Sequence, residues 1–284
     1  MSLRFSRRLF LSLLLATAIA CQSASTKNSG EIVIGMISYG EGEQLLNQYT
    51  GFKSYLGEKT KAWIEIEPAF SENKAMERIH NHAWSLVFAP PGIAAIAIAD
   101  YHYLPLFPLQ EVGNLRSILV VRDNSPIREL NELQGKTVVL GQPGSATGYY
   151  LPIYNLYGLT LAQVLFAPTP KTVLELIAQG KAEAGALSMA EFRLYSSQFS
   201  HVKFRVLFTD PHQVPPGVVL IEPKVEKSRQ QQIRQVMNEA PLTIAQSVGY
   251  TSSRAVPDYQ YMILVVKRVR AIASHLHQKP VRLF

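Results

Sequence analysis

The sequence has only one cysteine, Cys21, among 284 residues, so no disulfide can form within the chain. Charged residues are scarce at 17%, against 47% hydrophobic residues, and this composition excludes an intrinsically disordered chain. Three of the 28 lysines and arginines, Arg4, Arg7 and Arg8, lie within residues 1–21, which contain no acidic residue and have the features of a removable signal. Without those three, 25 basic and 21 acidic residues leave about +4, too small a net charge to indicate nucleic-acid binding.

Motifs for catalysis and for metal binding are also missing from the sequence. The seven histidines show no metal-ligand spacing, since His80 and His82 have no accompanying cluster of Cys, Asp or Glu. Neither a Gly-x-Ser-x-Gly nucleophile elbow nor a Walker loop occurs. The sequence therefore predicts no enzyme activity, no metal and no cofactor.

The N-terminal segment has the parts of an export signal. Arg4, Arg7 and Arg8 precede residues 9–20, an uncharged apolar stretch. As a helix it would span about 18 Å, too short for a bilayer core of about 30 Å, so we expect no transmembrane anchor in the mature chain. The arginines resemble a twin-arginine export signal, and an ordinary basic n-region is the alternative. We expect a bacterial protein that is exported on residues 1–21.

Cys21 follows Ala18-Ile19-Ala20, which resembles a bacterial lipobox, whose cysteine is diacylated and becomes the new N-terminus. Simple cleavage after an Ala-x-Ala sequence is the alternative. We favour acylation, because a lone thiol in this place has no other evident role. Residues 22–30 are small and polar, as in a flexible tether. The predicted location is the periplasmic or cell-surface face of the cytoplasmic membrane, with a lipid anchor at Cys21.

From residue 31 onward, short apolar segments alternate with amphipathic ones. Residues 32–37 are typical of a buried strand, and apolar residues within 45–56 recur at the spacing of one helix face. Repeated β-α-β units predict an α/β fold with mainly parallel sheets. Two such sets predict a two-lobed clamshell with two hinge crossings. The expected parts are lobe 1 (31–120 with 218–273), lobe 2 (121–217) and a basic tail (274–284).

The segment 141–152, GQPGSATGYYLP, is the most informative one. It follows a predicted strand and opens a helix, with Ser145 as a natural N-cap. The amides of Ala146, Thr147 and Gly148 would then point outward, with the positive end of the helix dipole behind them, where an anion fits. The hydroxyls of Ser145 and Thr147 could donate two more hydrogen bonds. On this segment alone, a capped helix beside an empty cleft is the alternative.

Residues 31–248 resemble the phosphate/phosphite/phosphonate-binding proteins of ABC importers. The resemblance is carried by VVRDNSPIRELNELQGKTVVLGQPGSATGYYLP, VLELIAQGKAEAGAL and VLFTDPHQVPPGVVL. It implies the two-lobed type II periplasmic binding protein fold. It also implies a small oxyanion, of phosphate, phosphite or phosphonate type, held on helix starts of both lobes by hydroxyls and tyrosines.

The resemblance assigns individual site residues. In lobe 2, Ser145 and Thr147 match hydroxyl ligands, whereas Ala146 replaces a usual threonine. The rest of the motif adds Gly148 and Tyr149. In lobe 1, one family tyrosine falls near Phe70 or Ser71, so that only Ser71 could donate, and another falls on Phe88. The predicted ligand-binding residues from the resemblance are therefore Ser71, Phe88, Ser145, Ala146, Thr147, Gly148 and Tyr149.

The positions that recognise an amine in this family depart further from the pattern. In an ungapped alignment they fall on Pro170, Ala190 and Gly217, and Glu191 lies one residue from the second. A buried ammonium without an acidic partner would be unfavourable. The sequence therefore predicts a smaller or uncharged-tailed oxyanion rather than 2-aminoethylphosphonate.

Two other segments could contribute to the cleft. Ser38 and Tyr39 follow the first strand at its carboxyl end, where open α/β sheets bind ligands, and a simple turn is the alternative. Pro90-Pro91-Gly92 opens another helix, either as a second anion-facing start or as a structural turn.

The C-terminal residues are basic. Lys267, Arg268, Arg270, Lys279 and Arg282 occur there without an acidic residue. They could lie on anionic lipid, and a solvated helix end with a frayed tail is the alternative.

The expected protein is a monomeric solute-binding lipoprotein that delivers a small oxyanion to an ABC permease, with no catalysis. A ligand-sensing subunit of a signalling system is the second hypothesis. An enzyme built on the binding-protein fold is the third.

Overall fold

The computed structural model describes residues 30–37, 42–110 and 115–284, except for the side chains of residues 42–46. The predicted signal, Cys21 and the tether before residue 30 lie outside the described residues, as do Ser38 and Tyr39. Contacts divide the chain into two units, residues 1–31 and residues 32–284. Within the described ranges, no helix is both long enough and apolar enough to cross a membrane.

Short strands and helices alternate along the second unit. The strands are β1 (Glu31–Ile37), β2 (Trp63–Ala69), β3 (Leu86–Ala89), β4 (Leu104–Pro108), β5 (Ser117–Arg122), β6 (Thr137–Leu140), β7 (Thr160–Leu161), β8 (Gln163–Phe166), β9 (Ala184–Ser188), β10 (Phe204–Thr209), β11 (Val218–Ile221) and β12 (Val281–Arg282). The helices are α1 (Gly42–Thr60), α2 (Glu72–His80), α3 (Pro91–Tyr101), α4 (Leu151–Asn155), α5 (Pro170–Ala178), α6 (Met189–Tyr195), α7 (Lys227–Asn238), α8 (Leu242–Ser247) and α9 (Gln260–Ala273).

The strands form two five-stranded sheets, with the orders β2-β1-β3-β11-β4 and β10-β5-β9-β6-β8. In the first sheet β1 and β3 are parallel, whereas β11 runs antiparallel to β3 and β4. In the second sheet β6 is parallel to β8 and β9, whereas β5 runs antiparallel to β9 and β10. The reversed strand in each sheet is the one that follows a crossing from the other sheet. The predicted two-lobed α/β fold is confirmed, while the predicted residue bounds of the lobes remain predictions.

The end of the chain packs against the rest of the molecule. Helix α9 contacts α3 and α4. Strand β12 then pairs with β7, and the amide of Leu283 donates to the carbonyl of Leu159 at 3.0 Å. Val281 and Leu283 are buried. A frayed tail, one of the alternatives from the sequence, is therefore wrong, because alternate residues of the tail are apolar and fit the core.

Strand β1 buries both of its faces. Ile34 and Met36 lie in a core that includes Phe52 of α1. On the opposite face Gly35 lies directly against Trp84, which is fully buried and donates from Nε1 to Oε2 of Glu67 at 3.0 Å. The glycine is therefore required by the close approach of the indole ring.

Gly35→Ala should lower the free energy of unfolding by about 3 kcal/mol, because the added Cβ would overlap the Trp84 ring. Urea denaturation followed by circular dichroism measures this. Gly51→Ala in α1 is the matched control, since its Cβ would meet its nearest neighbour, Ile244, at 3.4 Å. That substitution should be neutral or should stabilise by up to about 1 kcal/mol. Equal losses at both positions would contradict the packing argument.

Candidate ligand-binding site

A cavity lies at the carboxyl edge of the second sheet. It is open to solvent, and its empty space measures about 480 Å³ with that open solvent included. Strands β6, β8 and β9 are parallel and end at this edge, so the segments that follow them meet there. The cavity is lined after β6 by Gln142, Ser145 and Gly148, after β8 by residues 167–170, and after β9 by Glu191.

The helix start after β6 has the N-cap that the sequence predicts. Ser145 Oγ accepts a hydrogen bond from the amide of Gly148 at 3.0 Å. The carbonyl of Ser145 accepts from the amides of both Tyr149 and Tyr150 at 3.0 Å. The first turn, Ala146–Tyr150, is a π-helix that continues into α4. The amide of Gly148 is therefore already used, and the amides of Ala146 and Thr147 are the donors left at this helix start.

The other predicted residues of this turn lie behind the cavity wall. Ala146, Thr147 and Tyr149 are buried and do not line the cavity. The carbonyl of Thr147 accepts from Ser117 Oγ at 2.7 Å, which ties the turn to β5. Of the five residues predicted here, Ser145 and Gly148 face the cavity.

The predicted lobe 1 residues are not brought to this cavity. Ser71 is exposed and caps α2, where its Oγ accepts from the amide of Lys74 at 3.3 Å. Phe88 is buried in the core, with its ring centroid 5.3 Å from that of Tyr49 and 5.8 Å from that of Phe52. Phe88 packs inward because its ring has no polar group to present to a ligand.

Lobe 1 instead reaches the site through Glu72, which the sequence analysis missed, and through Gly92 of the predicted Pro90-Pro91-Gly92 helix start. Glu72, the first residue of α2, is 6% exposed, and its carboxyl group lies against Gly144. Gly92, in the first turn of α3, lies against the carbonyl of Gly144. A Cβ at Gly92 or Gly144 would overlap these neighbours, and Gly144 also has a φ of +100°. The starts of α2 and α3 therefore touch the turn that precedes Ser145.

The charge of Glu72 acts on the tyrosines of this turn. Burial raises the pKa of Tyr149 to about 12, and the nearby carboxylate of Glu72 contributes to the increase. Burial and then Glu72 likewise raise the pKa of Tyr150. An acidic side chain therefore lies where the sequence predicts an anion-binding turn. The only signal for it was its position, directly after Ser71.

The cavity also has an acidic wall. Glu191 Oε2 accepts from the amide of Ser188 at 2.7 Å, and the amide of Glu191 donates to Ser188 Oγ at 3.1 Å. This reciprocal capping box holds the carboxyl group in place at the start of α6. The ungapped alignment placed Ala190 here, so a shift of one residue brings an acid to the site. Among the described residues that line the cavity, none is Lys or Arg.

Two further polar residues that the sequence analysis missed lie on the wall. Thr169 caps α5, and its Oγ1 accepts from the amide of Thr172 at 3.2 Å. Gln142 Nε2 donates to the carbonyl of Ala167 at 3.4 Å. Thr169 followed by Pro170 is a recognisable helix-start signal, and it could have identified Thr169 as a residue of the site. In the described part of the chain, no three His, Cys, Asp or Glu side chains form a group that could hold a metal ion.

Comparisons with known proteins agree with this architecture. A family model described as the periplasmic substrate-binding protein of phosphonate ABC transporters matches residues 34–259. The structure of XAC2383 from Xanthomonas citri bound to ATP is similar, with 20% identity over 85% of this chain and 98% of that chain, and a TM-score of 0.71. PhnD1 from Prochlorococcus marinus in complex with methylphosphonate has 14% identity over 86% of this chain and 100% of its own, with a TM-score of 0.65. The search of curated proteins found no match.

Proposed function

Because this chain belongs to the family of periplasmic substrate-binding proteins of phosphonate ABC transporters, we propose that it captures a small phosphonate-type oxyanion and delivers it to an ABC permease. The family consists of binding proteins rather than enzymes, so no reaction is proposed. The observation that carries the proposal is the cavity at the carboxyl edge of the second sheet, where Ser145 and Gly148 face the space. This is the part of lobe 2 in which the resemblance places the oxyanion.

The anion end of the ligand would lie against the helix start. Ser145, Gln142 and Thr169 line the cavity, and each has a polar side chain that could donate a hydrogen bond. A hydrogen bond to a charged group contributes about 1.5–3 kcal/mol, and a micromolar site needs about 8 kcal/mol. Three such donors would contribute about 4.5–9 kcal/mol, which reaches the micromolar range without a lysine or arginine.

The other end of the ligand would face Glu191. The sequence disfavoured an aminoalkylphosphonate because no acid matched the amine-binding positions. With Glu191 on the cavity wall, that objection no longer holds. A carboxylate beside an anion site favours a ligand that carries a positive charge at its other end. We therefore propose an aminoalkylphosphonate such as 2-aminoethylphosphonate, with phosphate, phosphite and methylphosphonate as the competing ligands.

Glu191→Gln should weaken the binding of 2-aminoethylphosphonate by at least about tenfold, the loss of one charge-assisted hydrogen bond. Binding of methylphosphonate should stay the same or tighten, because that ligand has no ammonium group. The Gln side-chain oxygen can still accept from the amide of Ser188, so the cap is kept. Isothermal titration calorimetry with both ligands measures the difference.

Glu175→Gln in α5 is the matched control and should change neither affinity. Equal weakening of both ligands by Glu191→Gln would show that Glu191 has a structural role. If neither phosphonate bound the wild-type protein, the proposed ligand class would be wrong.

We further propose that the protein works as a monomer outside the cytoplasmic membrane, anchored through acylated Cys21.

Deletion of the gene should abolish uptake of a radiolabelled phosphonate at limiting concentration. A signalling subunit of the same fold would leave uptake unchanged. The twin-arginine route is tested by export in cells that lack that pathway.

A further inference from the structure

One face of the second unit carries an excess of basic charge. Residues 259–284 contain five lysines and arginines and no Asp or Glu. Residues 151–170, which include α4 and β7, contain no charged residue at all, and α9 and β12 pack against them. Among the ion pairs of the described residues, Arg270 with Asp100 is the one that neutralises a member of this set. The charge of Lys267, Arg268, Lys279 and Arg282 therefore faces solvent.

Exposed apolar side chains lie among these charges. Leu264, Lys267 and Arg268 are spaced i, i+3 and i+4 on α9, and all three are exposed. The guanidinium of Arg268 lies 4.2 Å from the ring centroid of Tyr157. The amide of Gly158 donates to the carbonyl of Leu283 at 2.9 Å, which brings Phe284 beside Tyr157. The basic-apolar face is defined as Tyr157, Leu264, Lys267, Arg268, Arg282 and Phe284.

We infer that the basic-apolar face docks on the surface of an anionic lipid bilayer. Lysine and arginine near such a surface are attracted by its negative potential, while tyrosine, leucine and phenylalanine enter the headgroup region. The apolar members are well exposed, at 43% for Tyr157, 67% for Leu264 and 53% for Phe284. Protein-protein interfaces are depleted in lysine, so Lys267 favours lipid over an acidic protein partner.

Full-length protein with Cys21→Ser, which cannot be acylated, is mixed with sedimenting vesicles of phosphatidylcholine, with or without 30% phosphatidylglycerol. We expect binding to the anionic vesicles that 0.5 M salt abolishes. Lys267→Glu with Arg282→Glu should lower the partition coefficient at least about 25-fold, since each basic residue contributes about fivefold. Lys181→Glu with Lys227→Glu, two exposed residues away from this face, is the control of equal charge change.

The N-terminal segment, which carries Arg4, Arg7 and Arg8, is the same in every variant, so each loss is measured relative to the Cys21→Ser protein on the same vesicles. An equal loss in the control pair would show that net charge alone drives binding and would overturn the inference. Failure of the anionic vesicles to exceed the neutral ones would also overturn it and would leave an acidic protein as the partner of this face. Leu264→Ser should weaken binding at constant charge, whereas an unchanged partition coefficient would remove the apolar residues from the contact.

Discussion

Replacing Glu72 with glutamine should tighten the binding of methylphosphonate by about fiftyfold or more. The carboxyl group of Glu72 is 6% exposed and lies against Gly144, directly before the helix start proposed to hold the anion. Two negative charges on the order of 6 Å apart repel by about 3 kcal/mol at an effective dielectric constant of about 20. Glutamine keeps the shape of the side chain and removes this repulsion. Isothermal titration calorimetry at constant pH measures the change in Kd.

The control for this prediction is Glu77→Gln on the same helix. Glu77 is exposed and pairs with Lys74 at 3.0 Å, so the substitution should leave the affinity unchanged. If Glu72→Gln did not alter the affinity, the anion would not bind near the start of the 146–150 turn. If it weakened binding, the Glu72 carboxylate would hold the turn in its binding conformation rather than repel the anion.

Gly92→Ala should weaken ligand binding by about a hundredfold without lowering the melting temperature. The new Cβ would overlap the carbonyl of Gly144, so the starts of α3 and of the 146–150 turn could not approach as they do here. Such overlap costs about 1–3 kcal/mol, which acts on the arrangement in which the starts of α3 and of the 146–150 turn meet, and we expect the ligand to bind this arrangement. Within α3 itself, alanine is the better helix former.

Small-angle X-ray scattering and calorimetry check this prediction together. The Gly92→Ala protein should have a larger radius of gyration in the presence of ligand than the wild type, along with its reduced affinity. Gly51→Ala, which has room for a Cβ, should match the wild type in both measurements. Loss of thermal stability in Gly92→Ala would instead indicate damage within a lobe.

Local patterns predicted much of the fold because each pattern reflects burial of neighbouring residues. The strand predicted before the 141–152 motif is β6 (Thr137–Leu140), and Ser145 caps the helix as its side chain and position indicate. The π-helical first turn could not be predicted, because the spacing of apolar residues does not show that the carbonyl of Ser145 accepts hydrogen bonds from two amides. Strand β12 was missed because it has only two residues, too few to be recognised as a strand from the sequence.

The site was less predictable than the fold because its parts come from distant places in the chain. Strands β3 to β6 lie between Glu72 and Gly144 in the sequence, and no local pattern links the two residues. The sequence showed that Glu191 lies one residue from the expected position. Only the structure shows that Glu191, held by its capping box with Ser188, lies on the cavity wall. The lobe 1 expectations depended on the resemblance alone. At Phe88 a phenylalanine stands where the family has a tyrosine, and its side chain packs in the core instead of lining the cleft.

Helix α9 adds a consequence for how quickly this protein can exchange its cargo. It rests on α3 of one half and on α4 of the other, and the chain then continues into a strand beside β7. Two linkers alone would let the halves swing apart widely about one axis. A third tether away from that axis restricts the swing and favours a sliding or twisting motion. We therefore expect the rate of ligand release to depend on how readily α9 shifts over α3 and α4.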